Sequence, residues 1–286
     1  MTTDIARQVA AHFGPEGLRR IEPTELQALA LSPESAEQLV QFGLPVQVGP
    51  YFMATSGEPL SLGEYAATIG FPDVEQDKAQ WCRLGTDHGA EICVGPAGTV
   101  EAVFVKADER PMRVNTSVTA FVSSLLALDT HLPVIASPGD QDPVAVFRRL
   151  RQRLLDLDGA SLQDAEAWWP RVLEEIRHAL SFRFSAAFKI EDDRGGSRIE
   201  TEQAQVGLPH PERVLWSRLS AQGVRPAQVT RVYTELEPCF LPGNYCAMWL
   251  TQFTNAEFTH SFDYGATAEE REAGIVALMK HAASRR

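Results

Sequence analysis

Around residue 182 the hydrophobic period of the chain changes from helical to alternating. In "FRFSAAFKI", Phe182, Phe184, Ala186, Phe188 and Ile190 alternate with mostly polar residues, which gives a β-strand one apolar face. The helix-spaced segment "DAEAWWPRVLEEIRHAL" precedes it. "DDRGG" reads as a turn, and "SRIETEQAQVG" as the returning arm of a hairpin. "HPERVLWSRLSAQG" is a helix with Pro211 at its first position and Gly223 at its end. "VTRVYTEL" is a strand, "YCAMWLTQF" a short apolar helix and "EFTHSFDYG" another strand. "TAEEREAGIVALMKHAA" closes the chain as a helix opened by a Thr267-x-x-Glu270 capping box. From about residue 165 the order is therefore α-β-β-α-β-α-β-α.

The earlier part mixes α and β differently. "DIARQVAAHFG" and "SPESAEQLVQFG" are helices that stop at Gly14 and Gly43. Short strand-like runs follow in "VQVGPYFMA", "WCRLG", "EICVG" and "TVEAVFV". "SVTAFVSSLLALDTHL" is a helix that starts near Asn115 or Thr116. "IASPGDQDP" reads as the clearest linker. It suggests two domains, 1–140 and 141–286, with the helices at 143–180 open to either. Of the 286 residues, 44% are hydrophobic and 22% charged, ample for a core in each.

Charge sharpens the division. Residues 181–286 hold 12 Lys and Arg against 13 Asp and Glu, a balance of −1. The whole chain carries −12, so the remainder carries −11. Neither part is basic, which disfavours a duplex-tracking nucleic-acid binder. No apolar run reaches the length of a membrane span and no secretory signal is legible, so the expected setting is the cytoplasm, with reduced thiols. Four cysteines in a chain of this size are no disulfide framework.

Two of those cysteines acquire meaning from their order. His210 and Glu212 stand at the mouth of one helix, and the next strand runs into Pro238-Cys239, with Cys246 at a following helix. Imidazole and thiolate suit Zn²⁺, and three protein ligands leave one of four positions for water. Glu212, two residues from His210, would stand beside that water without binding metal and carry protons. Six residues separate the cysteines. Pro242-Gly243 suits the centre of a type II turn that would fold the loop back.

The pattern H-x-E followed by P-C and a second Cys resembles the zinc-dependent nucleobase deaminases, whose signature is H-x-E…P-C-x-x-C. Thr234, Glu235, Pro238 and Cys239 are similar to the "S/T-E-x-x-P-C" of bacterial toxin-type nucleic-acid deaminases. The departure is the gap of six where the signature has two. The resemblance covers the last 110 to 140 residues and implies an α/β three-layer domain with a mixed sheet. It implies His210, Cys239 and Cys246 as ligands of Zn²⁺ and Glu212 as the catalytic acid and base. Trp216, Tyr233, Thr234 and Asn244 are candidates for binding substrate; the two aromatics would stack on a base. The expected reaction is hydrolytic deamination of cytosine, with adenine second. A single strand or a free nucleoside or nucleotide is favoured over a duplex.

Plainer readings stand beside this one. A lone H-x-E also arises because Glu favours a helix start, and cysteines are ordinary core residues. The ordered set favours the metal centre over both. A catalytically dead deaminase fold in a protein-binding or immunity module is the rival, and a purely structural zinc site would need a fourth protein ligand. Cys82 and Cys93 bracket His88, but core packing is expected there, and His260 is read as packing or surface.

In the first part, Leu44-Pro45, Tyr51-Phe52, Gly85 and Asn115 to Phe121 occur in an order that resembles the SUKH superfamily of bacterial immunity proteins. That resemblance covers about residues 10–140. It implies an α+β domain that binds a partner protein, and the acidic excess suits a basic partner.

Overall fold

The computed structural model describes residues 2–192 and 195–285. They fall into two compact units, Met1–Pro170 and Arg171–Arg286. Residues 193 and 194 of the expected "DDRGG" turn lie outside the described residues.

The first unit begins with α1 (Thr2–Phe13), β1 (Leu18–Arg19), α2 (Pro33–Phe42), β2 (Leu44–Pro45), β3 (Gln47–Val48) and β4 (Phe52–Ala54). It continues with α3 (Leu62–Thr68), β5 (Cys82–Thr86), β6 (Glu91–Val94), β7 (Val100–Val103), β8 (Met112–Asn115), α4 (Val118–Ala136) and α5 (Pro143–Asp158). Strands β3 to β8 form one antiparallel sheet in sequential order, and β1 pairs with β2. Cys82 and Cys93 are core residues of β5 and β6. Burial raises both thiols, Cys82 to about 12, so they are neutral packing groups.

Helix α4 is long and apolar enough to cross a membrane by length and composition, which corrects the expectation that no run is. Phe121, Val122, Leu125, Leu128 and Leu132 are buried, and the helix packs against α1, α2 and α5. Its apolar character supplies the core of the first unit.

The "IASPGDQDP" stretch lies within this unit. Its first residues finish α4, Ser137 caps that helix, and Asp142 caps α5 through a bond from Val144 N. Val146, Phe147, Leu150 and Leu154 of α5 are buried. Asp158 accepts from Asn115 Nδ2 at 2.9 Å and Thr116 N at 2.8 Å. Trp168 Nε1 donates to Asp87 Oδ2 at 2.8 Å, and Trp169 Nε1 to Asn115 Oδ1 at 2.9 Å. These buried bonds tie residues 143–170 into the first unit, so the division falls at 170/171, inside α6 (Trp168–Ser181).

The second unit contains the rest of α6, then β9 (Ser185–Glu191), β10 (Ser197–Gln203), α7 (Pro211–Ala221), β11 (Val229–Leu236), α8 (Cys246–Trp249), β12 (Glu257–Phe262) and α9 (Ala268–Ser284). This is the order expected from the sequence. The sheet runs β10-β9-β11-β12; β11 is antiparallel to β9 and parallel to β12, so the sheet is mixed. Phe188 and Ile190 of β9 pack with Val232 of β11 against Leu215 and Leu219 of α7 and Phe253. Phe184, Leu236 and Cys239 pack with Ile275 and Leu278 of α9. Thr267 and Glu270 form the expected capping box of α9.

Candidate metal centre and active site

Pro211 fixes the start of α7 because its ring presets a helical φ and its missing N–H is not needed there. His210 is thereby the N-cap, and Glu212 lies in the first turn. At the end of β11 the chain leaves the sheet through Cys239 and reverses at Leu241–Asn244. Gly243 has φ +79°, and Asn244 N donates to Leu241 O at 3.1 Å, a type II turn with Pro242-Gly243 at its centre. Tyr245 takes a left-handed φ of 42° and sets Cys246 at the start of the single turn α8. Ala247 N donates to Cys239 O at 3.1 Å, which closes the loop at its base. Cys239 thus sits in the loop that follows β11, and Cys246 at the start of α8.

These devices bring three ligand atoms together. His210 Nδ1 lies 3.4 Å from Cys239 Sγ and 3.5 Å from Cys246 Sγ, and the donor atoms of the three residues all lie within 4.8 Å of one another. All three side chains are buried. Two sulfurs and one imidazole nitrogen, with no fourth protein donor grouped with them among the described residues, are a set that could hold a metal ion with one position open. The ring's other nitrogen, Nε2, lies 3.6 Å from Glu175 Oε1 of α6.

Charge in this cluster is set by burial and by its own members. Burial opposes a Cys239 thiolate, but the Cys246 thiol and the His210 ring outweigh it and hold Cys239 well below the usual thiol range. Burial, then the Cys239 thiolate, push Cys246 well up. Burial disfavours an imidazolium at His210, yet the Cys239 thiolate raises the ring well above its ordinary value. Burial raises Glu212, and His210 opposes that shift, so this carboxyl holds a proton more readily than a surface glutamate.

Phe184, Ser185, His210, Glu212, Thr234, Leu236, Glu237, Cys239 and Tyr264 line a cavity of about 10 Å³, room for roughly one water. Thr234 is buried on its wall, and its Oγ1 has no hydrogen-bond partner among the described residues. Asn244 instead braces the loop: its Oδ1 accepts from His210 N at 2.8 Å, and its carbonyl accepts from Arg213 Nη1 at 2.6 Å. Trp216 packs edge-on against Phe253, and the Tyr233 hydroxyl meets Ser261 Oγ at 2.8 Å; neither lines the cavity. Glu235 accepts from Ser185 N and Oγ and so fixes the start of β9. His260 faces Asp263 at the surface.

Two further residues beside the cluster, Glu175 and Tyr264, carry no distinctive pattern in the sequence. Tyr264 shares a 2.6 Å hydrogen bond with His178 Nδ1, and His178 Nε2 lies 3.2 Å from Glu272 Oε2. Beside them Arg271 of α9 makes two 2.9 Å bonds to Glu174. The only signal for these partners was the density of Glu and His on one face of "EEIRHAL".

Residues 183–281 match the family model described as Xanthomonas-like deaminase. Residues 5–175 match the model described as SUKH-4 immunity protein. Comparison with curated proteins and with solved structures returns no match. With more than half of its length inside the second of these matches, the chain belongs to the SUKH-4 immunity protein family, and it carries a Xanthomonas-like deaminase domain around the His210, Cys239 and Cys246 cluster.

Proposed function

We propose that the second unit is a zinc-dependent hydrolytic deaminase acting on a nucleobase, with His210, Cys239 and Cys246 as metal ligands and Glu212 as the catalytic residue. The observation that carries this reading is the convergence of three buried ligand atoms beside a cavity whose wall includes His210, Cys239 and the buried carboxyl of Glu212. Zinc held there supplies a Lewis acid that lowers the pKa of a water to near neutrality. Glu212 does the proton work: it takes a proton from the attacking water, gives it to the ring nitrogen, and assists the leaving ammonia. Its raised pKa suits a group that must hold a proton between these steps. Thr234 and Tyr264 line the water-sized cavity beside Glu212.

Cytosine is the proposed base and a single strand the proposed polymer, with a free nucleoside or nucleotide next. The base rests on family analogy, and the polymer on the absence of a basic balance in either half. The acidic first part would take a basic protein partner. Deamination of single-stranded DNA, duplex DNA, RNA and free nucleosides by the purified chain, beside Glu212→Ala, tests the reaction. Turnover in the wild type and none in the variant supports it. A fold that binds zinc and turns over none of these substrates counts against it.

A second reading has its own observations. The chain belongs to an immunity-protein family, and the cavity is far smaller than a base. On that reading the deaminase domain is inactive and the protein works by binding. A chain without zinc, inert on every substrate yet folded, is its signature.

A further inference from the structure

A histidine that gives one ring nitrogen to a metal carries its proton on the other, and which nitrogen does which is set by the partner of the second. In His210, Nδ1 faces both sulfurs. Nε2 is buried with no hydrogen-bond partner within 3.5 Å among the described residues, and Phe184 stands edge-on to the ring at 5.2 Å. An N–H in such apolar surroundings needs an acceptor. The polar atom facing it is Glu175 Oε1, at 3.6 Å, from a side chain that is itself 2% exposed. The adjacent Glu174 is committed to Arg271, while Glu175 faces the ring. Glu175 also lies outside the residues matched as a deaminase, 183–281, so that match alone does not contain it.

We propose that Glu175 is a positioning residue of the centre: its carboxylate accepts the Nε2–H of His210 and so holds Nδ1 toward Cys239 and Cys246. The inference rests on the metal reading above. A carboxylate behind a ligating histidine fixes the ring's orientation and raises its basicity, and losing such a group weakens metal binding by about 10–100-fold.

The test uses the full chain with Glu175→Gln, which keeps the shape, and Glu175→Leu, which removes the acceptor. Zinc affinity is measured by competition with a chromogenic chelator, and folding by near-ultraviolet circular dichroism. Both variants are expected to fold. The Gln variant should lose about 10-fold in affinity and the Leu variant toward 100-fold. Nitrogen-edited imidazole spectra of metal-free wild type should show a downfield Nε2 proton protected from exchange, and both variants should lose it. Folded variants with wild-type zinc affinity overturn the proposal, as does an Nε2 resonance unmoved by either substitution. Wild type that takes up no zinc overturns the metal reading, and the imidazole spectra then decide on Glu175 independently.

Discussion

At the residue scale the proposed centre separates the residues that would hold a metal from the one that would do the chemistry. Glu212 touches the cavity without belonging to the ligand cluster, so Glu212→Gln should lower deamination by about 10²–10⁴-fold and leave zinc content and melting temperature unchanged. Rate assay and elemental analysis on one preparation check both halves; loss of zinc would make Glu212 structural. A second residue-scale outcome concerns pH. Burial, then Arg177, hold His178 down at about 4, against 6.5 for a free imidazole. The unfolded chain therefore takes up this proton first as pH falls. Stability should decline from about pH 6.5 and level off near 4, by roughly 3 kcal/mol from this group. Glu272, depressed by Arg177, adds to the decline only at lower pH, as it is protonated. Urea melts at pH 7, 5.5 and 4 measure the slope, and His178→Gln should flatten it. His210, Cys239, Cys246 and Glu212 were legible because their chemistry is unusual in that order. Glu175 and Tyr264 were not, since a glutamate on a helix and a tyrosine after a strand look the same whether they face solvent or a buried ring.

At the element scale the turn between the cysteines decides whether the ligands meet. Gly243→Ala puts a Cβ on a residue with φ +79°, a strain of about 1–2 kcal/mol, and should move the loop that delivers Cys246. Zinc affinity should fall with stability. Thr267→Ala offers the contrast: it removes the α9 cap at a cost of about 1 kcal/mol and should leave zinc affinity alone. Chelator competition on the two variants, compared at equal fractions folded, separates them. The elements of the second unit were legible because each carries its own punctuation: Pro211 before α7, alternation in β9, the Thr267 box before α9. Short α3 and β8 were not read. The Ser61–Glu64 box that starts α3 was there to be found, but that helix has only seven residues. In β8, Val114 is one of few apolar residues in a run as brief as a turn.

At the scale of the whole molecule, the place of the division was the least legible feature. Prolines, glycine and aspartates at 138–143 have the composition of a linker, yet here they join the end of α4 to Asp142, the cap of α5. The actual division lies inside a helix, where composition leaves no mark. A fragment from Arg171 to Arg286 should fold and bind zinc, because it retains Glu174, Glu175 and His178. A fragment that starts at Arg183, the first matched deaminase residue, should not. It strands Arg271, 2% exposed, without its carboxylate partner, at a cost of about 3–5 kcal/mol. Soluble yield and circular dichroism of the two fragments check this. Equal stability of the pair would show that α6 is dispensable to the second unit.

The loop from Cys239 to Cys246 has a consequence for how such a centre tolerates insertions. Its base is pinned by Ala247 N to Cys239 O, and its reversal is made at Pro242 and Gly243. Residues added near Phe240 would lengthen an already closed excursion, and doubling a loop adds only about 0.6 kcal/mol. Between His210 and Glu212 the opposite holds. One inserted residue there turns the carboxyl by about 100° around α7, away from the cavity. One side of the centre is elastic in chain length and the other is rigid, so a residue inserted between the cysteines should be tolerated where one inserted between the histidine and the glutamate should not.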